Sequence, residues 1–491
     1  MMQAVTRIIL NALALLFVVS VLMPLPLVAK DKRLVDLIVE ADYLITMQAD
    51  EPPLEKTAVV IDNSKIIAIG ETKSIHQKFH ARQIISGKNR VLMPGLINTH
   101  THTAMTLFRG MADDMELMPW LNQFIFPMEG KFVDPEFIKI GSKLACYEMI
   151  KGGITSFVDM YFYPDIIAQQ TIDCGLRGMI GAPMIDYPSP GFSGWDDSFA
   201  AAKLFVKKWQ GKHPRIIPAF APHAPYTVSS VHIKQVADAA RAMHAPVTIH
   251  IAETSSEEQM IQQQYHTSPV QLMQQQGLFD HNKVIAAHMV HPNPTDIQIL
   301  AKQKVGVAHN PTSNLKLAAG IAPVPAMLNQ GIAVGLGTDG AASNNDLDLW
   351  EEIRLAALIH KNQQKDPKLI PAYSALKMAT KMGAKVIGLE KQVGQIKVGM
   401  QADLIQIDLG SLRLQPIYNL YSHLVYVTDS SDVSTTIVAG KVLMLDGKVL
   451  TIDVAQLKQQ VAKKSKQIKQ ALLQQNLSHK KSLDKNTTDK K

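Results

Sequence analysis

The sequence predicts an α/β protein: a (β/α)8 TIM barrel flanked by a small β-sandwich that both chain ends build. Three observations carry this expectation. Eight apolar runs alternate with helical stretches across about 300 residues, the count and length such a barrel needs. Short alternating strands spaced by polar turns occur near the start and return near the end of the chain. The C-terminal ends of the apolar runs collect His102, His223, His250, His288, His309 and Asp339, and barrels place their sites at that end of their strands.

In chain order, residues 1–29 come first. Arg7 precedes an apolar stretch over 8–29, broken only by Asn11, Ser20, Pro24 and Pro26 and followed by Lys30-Asp-Lys-Arg33. A basic start, an apolar region, prolines and a small residue at Ala29 lay out a secretory signal peptide. The stretch also approaches the roughly 20 residues that span a bilayer, so an uncleaved membrane anchor is the alternative. Either places the protein in the periplasm or on the membrane. A true start at Met23 would leave it cytoplasmic.

Residues 34–92 and 396–450 are expected to form the β-sandwich. Its strands are sought in 37–46, 58–61 and 65–70, then in 402–408, 425–428 and 434–440. Residues 93–395 are expected to form the barrel. Its strands are read at 93–98, 154–159, 177–182, 216–221, 247–251, 284–288, 305–309 and 332–337. Residues 452–491 form a Lys-rich C-terminal tail. Apolar positions from Val454 to Leu473 are compatible with an amphipathic helix, and a solvated tail is the simpler expectation.

Charge and cysteine content exclude several classes. The net charge of +7 lies wholly in the tail, which holds ten Lys against three Asp, while the body is balanced at 40 basic and 40 acidic residues. A nucleic-acid-binding body is therefore not expected. Cys146 and Cys174 make neither a disulfide framework nor a Cys-based zinc site, and both read as core thiols.

The chemistry starts at His100-Thr-His102. Residues i and i+2 of a strand share a face, so two imidazoles emerge side by side where the first barrel strand ends. His250 lies on another strand, with Glu253 three residues on, and Asp339 ends one more. Three neutral imidazoles and a carboxylate with an open position suit a catalytic metal, whose water approaches a pKa of about 7. Glu253 beside that water could take its proton and pass it to a leaving group. His288 could bond the hydroxide or a developing oxyanion; a satisfied core histidine is the alternative.

Five ordered motifs resemble the amidohydrolase superfamily: Pro94-Gly-Leu-Ile-Asn-Thr-His-Thr-His102, Pro222-His-Ala-Pro-Tyr226, His250-Ile-Ala-Glu253, His309-Asn-Pro-Thr-Ser-Asn-Leu-Lys316 and Gly337-Thr-Asp-Gly-Ala-Ala-Ser-Asn-Asn-Asp346. The resemblance runs from about residue 35 to 450. Within the superfamily it points to the branch of methylthioadenosine/S-adenosylhomocysteine deaminases and triazine hydrolases. It implies one divalent metal, zinc first and iron second, on His100, His102, His250 and Asp339. Glu253 would be the proton shuttle, with His288 and Asp339 beside it in catalysis. Glu129, in Phe126-Pro-Met-Glu-Gly-Lys131, and His223 would contact the substrate, as would Glu253 and Asp339. Two-metal members use a modified Lys at the end of strand four, where this chain has His223, so one metal is expected.

The resemblance implies hydrolytic deamination of an adenosine-like nucleoside, 5′-methylthioadenosine first, giving 5′-methylthioinosine and ammonia. S-Adenosylhomocysteine and adenosine are further candidates. Members that grip the amino-acid tail of S-adenosylhomocysteine use two Arg between strands three and four. The aligned positions fall near Ala182 and Trp195, and 185–195 contains no Arg. Bidentate capture of that carboxylate is not expected. Tyr187, Phe192 and Trp195 are expected to offer an apolar wall instead. Alternatives are a guanine or pterin deaminase, a triazine-type chlorohydrolase, and a non-catalytic envelope-associated binding protein. The expected partner is a small-molecule nucleoside, with membrane contact through 8–29, no nucleic acid, and self-association allowed but not required.

Overall fold

The computed structural model describes residues 32–488, the last of them, 475–488, as helix backbone only. The segment read as signal or anchor lies outside the described residues. Among the described residues, no helix is long and apolar enough to cross a membrane.

The first strands are β1 (Arg33–Leu44), β2 (Leu54–Asp62), β3 (Lys65–Glu71), β4 (Phe79–Ile85) and β5 (Arg90–Pro94). The barrel follows with β6 (Leu96–Thr101), β7 (Ile154–Met160), β8 (Arg177–Met184) and β9 (Ile216–Pro222). It continues with β10 (Val247–Ile251), β11 (Val284–His288), β12 (Gly306–His309) and β13 (Val334–Leu336). The chain ends through β14 (Leu404–Asp408), β15 (Val433–Val438), β16 (Lys441–Leu445) and β17 (Lys448–Val449). Strands β6 to β13 close into a parallel barrel, with Leu336 opposite Asn98 at the seam. Their residues are almost all buried, as near-continuous apolar runs in a helix-covered parallel sheet must be.

The helices between barrel strands start where the sequence supplies caps. Asp134 accepts from the Phe137 amide at 2.7 Å, and Pro135 follows at the first helical position. Asn293 and Asp296 cap each other reciprocally before the helix Pro294–Gln303.

Both chain ends meet in one nine-stranded sheet of order β17-β16-β15-β14-β5-β1-β2-β3, with β4 paired to β1. Leu37, Val39 and Val59 from the first half share a core with Leu404 and Ile437 from the second. The opposite face of β1 and β2 packs Ile38, Ala58 and Val60 onto Ile75 of the helix Thr72–Lys78. That helix, β16 and β17 were not anticipated.

Three expectations are corrected. The run read as one barrel strand at 93–98 is two strands broken at Gly95. β5 pairs with β14 in the outer sheet, while β6 pairs with β7 and β13 in the barrel. A Cβ on Gly95 would lie 2.2 Å from the Thr155 side chain, so only glycine passes this crossing. Residues 425–428, expected as a strand, end the helix Leu420–Tyr426, which Asn419 caps through the Ser422 amide. Leu420 and Leu424, one turn apart, bury that helix, and the period-3.6 signal outweighs the β-branched valines. The tail is not simply solvated. A helix runs from Val454 to Thr488 and buries Leu457, Ile468 and Ala471 against the body, with Lys464 donating to Glu136 at 2.8 Å.

Candidate active site

Four strand ends build the centre of the site. His100 lies on β6 and His102 just beyond it, His250 lies on β10, and Asp339 follows β13. Their ligand atoms all fall within 4.8 Å of one another. Asp339 Oδ1 is 3.3 Å from His100 Nε2 and 3.1 Å from His102 Nε2, and His102 Nε2 is 3.3 Å from His250 Nε2. His102 Nδ1 donates to the Met160 carbonyl at 2.7 Å and His250 Nδ1 to the His223 carbonyl at 2.8 Å, the tautomers this network assigns. Each ring thereby aims its free Nε2 lone pair inward, as a metal ligand held by its outer hydrogen bond does. Neither ring nitrogen of the fully buried His100 finds a hydrogen bond among the described residues. Burial takes His100 down to about 4 and His250 well below the usual imidazole range, which keeps both neutral. Converging lone pairs and a carboxylate repel one another unless a cation lies between them. The donor set therefore fits one divalent ion with nitrogen and oxygen ligands.

Backbone strain and close approach hold this geometry. Asp339 and His288 adopt φ of +61° and +75°, left-handed values unusual for residues other than glycine. Gly337 lets the β13 end close in, because a Cβ there would sit 2.3 Å from Asn310 Oδ1 and 2.9 Å from His100 Cβ. Ser313 and Ser343 both donate to Asp339 Oδ2, at 2.7 and 2.9 Å, which turns Oδ1 toward the imidazoles.

Around the cluster lies one chamber that also receives Glu129, His223, Glu253 and His288. Glu253 is buried, and burial raises its carboxyl. Glu257 accepts from the Ala252 and Glu253 amides at 2.9 Å each, one with either oxygen, and so fixes the loop that carries Glu253. His288 Nδ1 donates to Asn314 Oδ1 at 2.8 Å and lies 3.9 Å from Glu253 Oε1. Burial lowers His223 to about 3, and its Nδ1 lies 2.8 Å from the Thr227 hydroxyl. Burial raises Glu129 to about 7, while its Oε1 accepts from the Tyr161 hydroxyl at 2.7 Å.

The amidohydrolase family profile matches residues 91–443. The chain belongs to the amidohydrolase family. It is 39% identical over 438 residues to a protein of Syntrophus aciditrophicus named 5-methylthioadenosine/S-adenosylhomocysteine deaminase 1, covering 89% of this chain and 98% of that one. It is 45% identical over 417 residues to a 5′-deoxyadenosine deaminase of Methanosarcina barkeri, covering 84% and 93%. Among solved structures it superposes on an adenosine deaminase from Xanthomonas campestris with bound zinc. That match has a TM-score of 0.87 at 36% identity, over 89% of this chain and all of the other.

In this amidohydrolase the fold gathers every residue expected at the site except His309. That histidine does not line the chamber but lies against His360, ring centroids 5.3 Å apart and planes tilted by 42°, and both are buried. The expected aromatic wall is also partly wrong. Tyr187 lines a cavity that adjoins the chamber. Phe192 closes a tight turn with Ser189 through two backbone hydrogen bonds of 3.0 and 2.9 Å. Trp195 is locked in helix packing, its ring 4.1 Å from His232 and its Nε1 donating to Gln235. Sequence reading assigned no role to Ser313, Asn314, Ser343, Glu257 or Tyr161. The first three lie inside the quoted motifs, where uncharged polar residues crowd a ligand; Glu257 and Tyr161 carry no such mark. Cys146 and Cys174 are buried and unbridged.

Proposed function

We propose that this amidohydrolase is a metal-dependent hydrolytic deaminase of adenosine-type nucleosides, with 5′-methylthioadenosine as leading substrate and 5′-methylthioinosine and ammonia as products. One observation carries the reading: a buried carboxyl, Glu253, shares a chamber with His102, His250 and Asp339, which together with His100 form one inward-facing ligand set. The relatives named as deaminases of adenosine derivatives support the substrate class.

His100, His102, His250 and Asp339 would hold the ion, and zinc, present in the Xanthomonas structure, is the ion we expect. A divalent ion bound there would supply a water acidified toward pH 7 as nucleophile. Glu253 takes one proton from the attacking water and passes it to the ring nitrogen beside the attacked carbon. The hydroxyl now on that carbon gives the second proton to the amino group, and the C–N bond breaks to release ammonia as the carbonyl of the product forms. The raised pKa of Glu253 suits a group that must both accept and donate near neutrality. His288, with Nδ1–H committed to Asn314, keeps Nε2 as an acceptor that orients the water. His223 faces the base, and Glu129 accepts from the ribose hydroxyls.

Purified protein is expected to carry about one divalent ion per chain and to release ammonia from 5′-methylthioadenosine faster than from S-adenosylhomocysteine. Glu253→Gln should keep the ion and lose about 10²–10⁴-fold in turnover. Metal loss in that variant would remove the shuttle role. Silence toward every adenosine, with product from guanine, pterins or triazines, would replace the substrate class.

Residues 1–29 lead us to place the reaction in the periplasm or at the membrane. Mass spectrometry of the native N-terminus is expected to find a start near Lys30, or an intact Met1 in the membrane fraction. A start at Met23 in the cytosolic fraction would refute this.

A further inference from the structure

Between the 3₁₀ helix Thr103–Phe108 and the short helix Leu117–Trp120, residues 109–116 form a strap without regular structure. Within it Gly110 and Asp114 take φ of +62° and +59°. Met111, Ala112 and Met115 are half-buried, while Asp113 and Asp114 are exposed. A wall of the chamber comes next in the chain, because Leu117, Trp120 and Leu121 all line it. Strap and wall are joined directly: the Trp120 indole N–H donates to the Ala112 carbonyl at 3.2 Å. Trp120, Leu317 and Ser343 also line a narrow fissure together with strap residues 112–115.

Side chains from elsewhere pin this strap. Lys316 Nζ donates to Asp113 Oδ1 and, at 2.6 Å, to Asn345 Oδ1. Arg109 donates to the Asn345 carbonyl and to Glu148. Lys316 ends the helix Pro311–Lys316, which also carries Ser313 and Asn314, the partners of Asp339 and His288. Asn345 lies two residues beyond Ser343, on the loop that carries Asp339. One ammonium therefore bridges the strap to the two segments that hold Asp339 and His288 in place. Its side chain is 23% exposed, against 39% for Asp113, so solvent and salt screen the pair only in part. Neither Lys316 nor Asp113 lines the chamber, so what they do to the site passes through the strap and Trp120.

We propose that Lys316 is a positioning residue for the substrate wall. By bridging Asp113 to Asn345 it clamps the strap, and the hydrogen bond from Trp120 to Ala112 carries that restraint to the indole. The strap has no helix or strand of its own, so losing the clamp frees the segment rather than shifting it. A loosened wall must be ordered again whenever substrate binds, which weakens binding and leaves the bond-breaking groups in place. The kinetic consequence rests on the proposed deamination; the clamp itself does not.

Hydrogen–deuterium exchange of the metal-loaded full-length protein reads the clamp, and kinetics with 5′-methylthioadenosine read the wall. Lys316→Met should raise exchange in peptides covering 109–120 and leave the outer sheet unchanged. It should raise KM about three- to tenfold, between the worth of an exposed ion pair and that of a hydrogen bond to a charged group. Over the same change kcat should stay within about twofold and metal content should hold. Asp113→Ala, a change on the exposed strap, should reproduce both effects. Lys316→Arg, which can still donate to both acceptors, should restore protection and KM. Unchanged exchange in Lys316→Met, or loss of the ion or of kcat at an unchanged KM, overturns the proposal. Silence toward every adenosine would remove the deaminase reading, and exchange would then decide the clamp alone.

Discussion

Under the proposed function, Glu129 trades stability for recognition within a single side chain. Burial raises its carboxyl to about 7, against the Tyr161 hydrogen bond, which favours the anion. An unfolded Glu titrates near roughly 4.3. The folded protein therefore binds the extra proton between that value and about 7. Stability falls as pH rises through this window and levels off above it. Glu129→Gln keeps an acceptor for Tyr161 and removes the cost, so its Tm should exceed the parent's at pH 8, with the gain shrinking toward pH 5. Recognition moves the other way. Only the ionised carboxylate accepts freely from both ribose hydroxyls, so the parent's kcat/KM should rise through about pH 7. The variant should lose that rise and lie about 10- to 100-fold lower above it, the worth of a hydrogen bond to a charged group. Melting curves and pH–rate profiles of both proteins check the two limbs; an unchanged profile in the variant would remove Glu129 from substrate contact. Asp339 illustrates the complementary economy of position. Ser313 and Ser343 hold one oxygen so that the other faces the imidazoles, and no charge is spent on the task.

At the scale of elements, legibility followed how local the determining forces are. The eight barrel strands were readable because each is an apolar run buried on both faces, and five of the eight begin at the residue expected. Their ligand-bearing ends were readable for the same reason: a His or Asp that terminates such a run has few structural uses. The first strand was misjudged because two sheets meet at Gly95, and an unbroken apolar run does not record which sheet each half joins. Residues 425–428 were misjudged because Val425 and Val427 carry a β preference that burial of Leu420 and Leu424 overrides. The supports of the site were the least visible. Asn314 acts on His288 from 26 residues away and Ser343 on Asp339 through a turn, and such partnerships depend on the closed barrel rather than on spacing in the chain.

The molecule as a whole separates its functions between the two ends of the barrel. The ligands occupy the C-terminal ends of the strands, while a buried ion pair at the opposite end joins barrel to outer sheet. Arg177, the first residue of β8, donates through Nε and Nη2 to Asp403 at 2.9 and 3.2 Å. The two side chains are only 4% and 1% exposed. Asp403 Oδ1 also accepts from the Ala439 amide at 2.7 Å, and its backbone carbonyl accepts from Gly95, the glycine between the two sheets. One residue, through its carboxylate and its backbone carbonyl, thus ties together the start of β8, the end of β15 and the crossing point of the chain. Arg177→Met would leave Asp403 charged, buried and unpaired, at a cost of about 3–5 kcal/mol. Adding Asp403→Asn removes the stranded charge while its amide oxygen still accepts from Ala439, so the double variant should be less destabilised than the sum of the singles. Metal content and kcat/KM, read well below the Tm, should stay at the parent's values in all three variants, because the pair lies at the barrel end away from the ligands. Thermal unfolding with parallel metal analysis measures both halves of this expectation. Additive losses would show that the two side chains do not stabilise each other, and loss of the ion in the single variants would show that the outer sheet and the metal centre are coupled through the barrel rather than held apart by it.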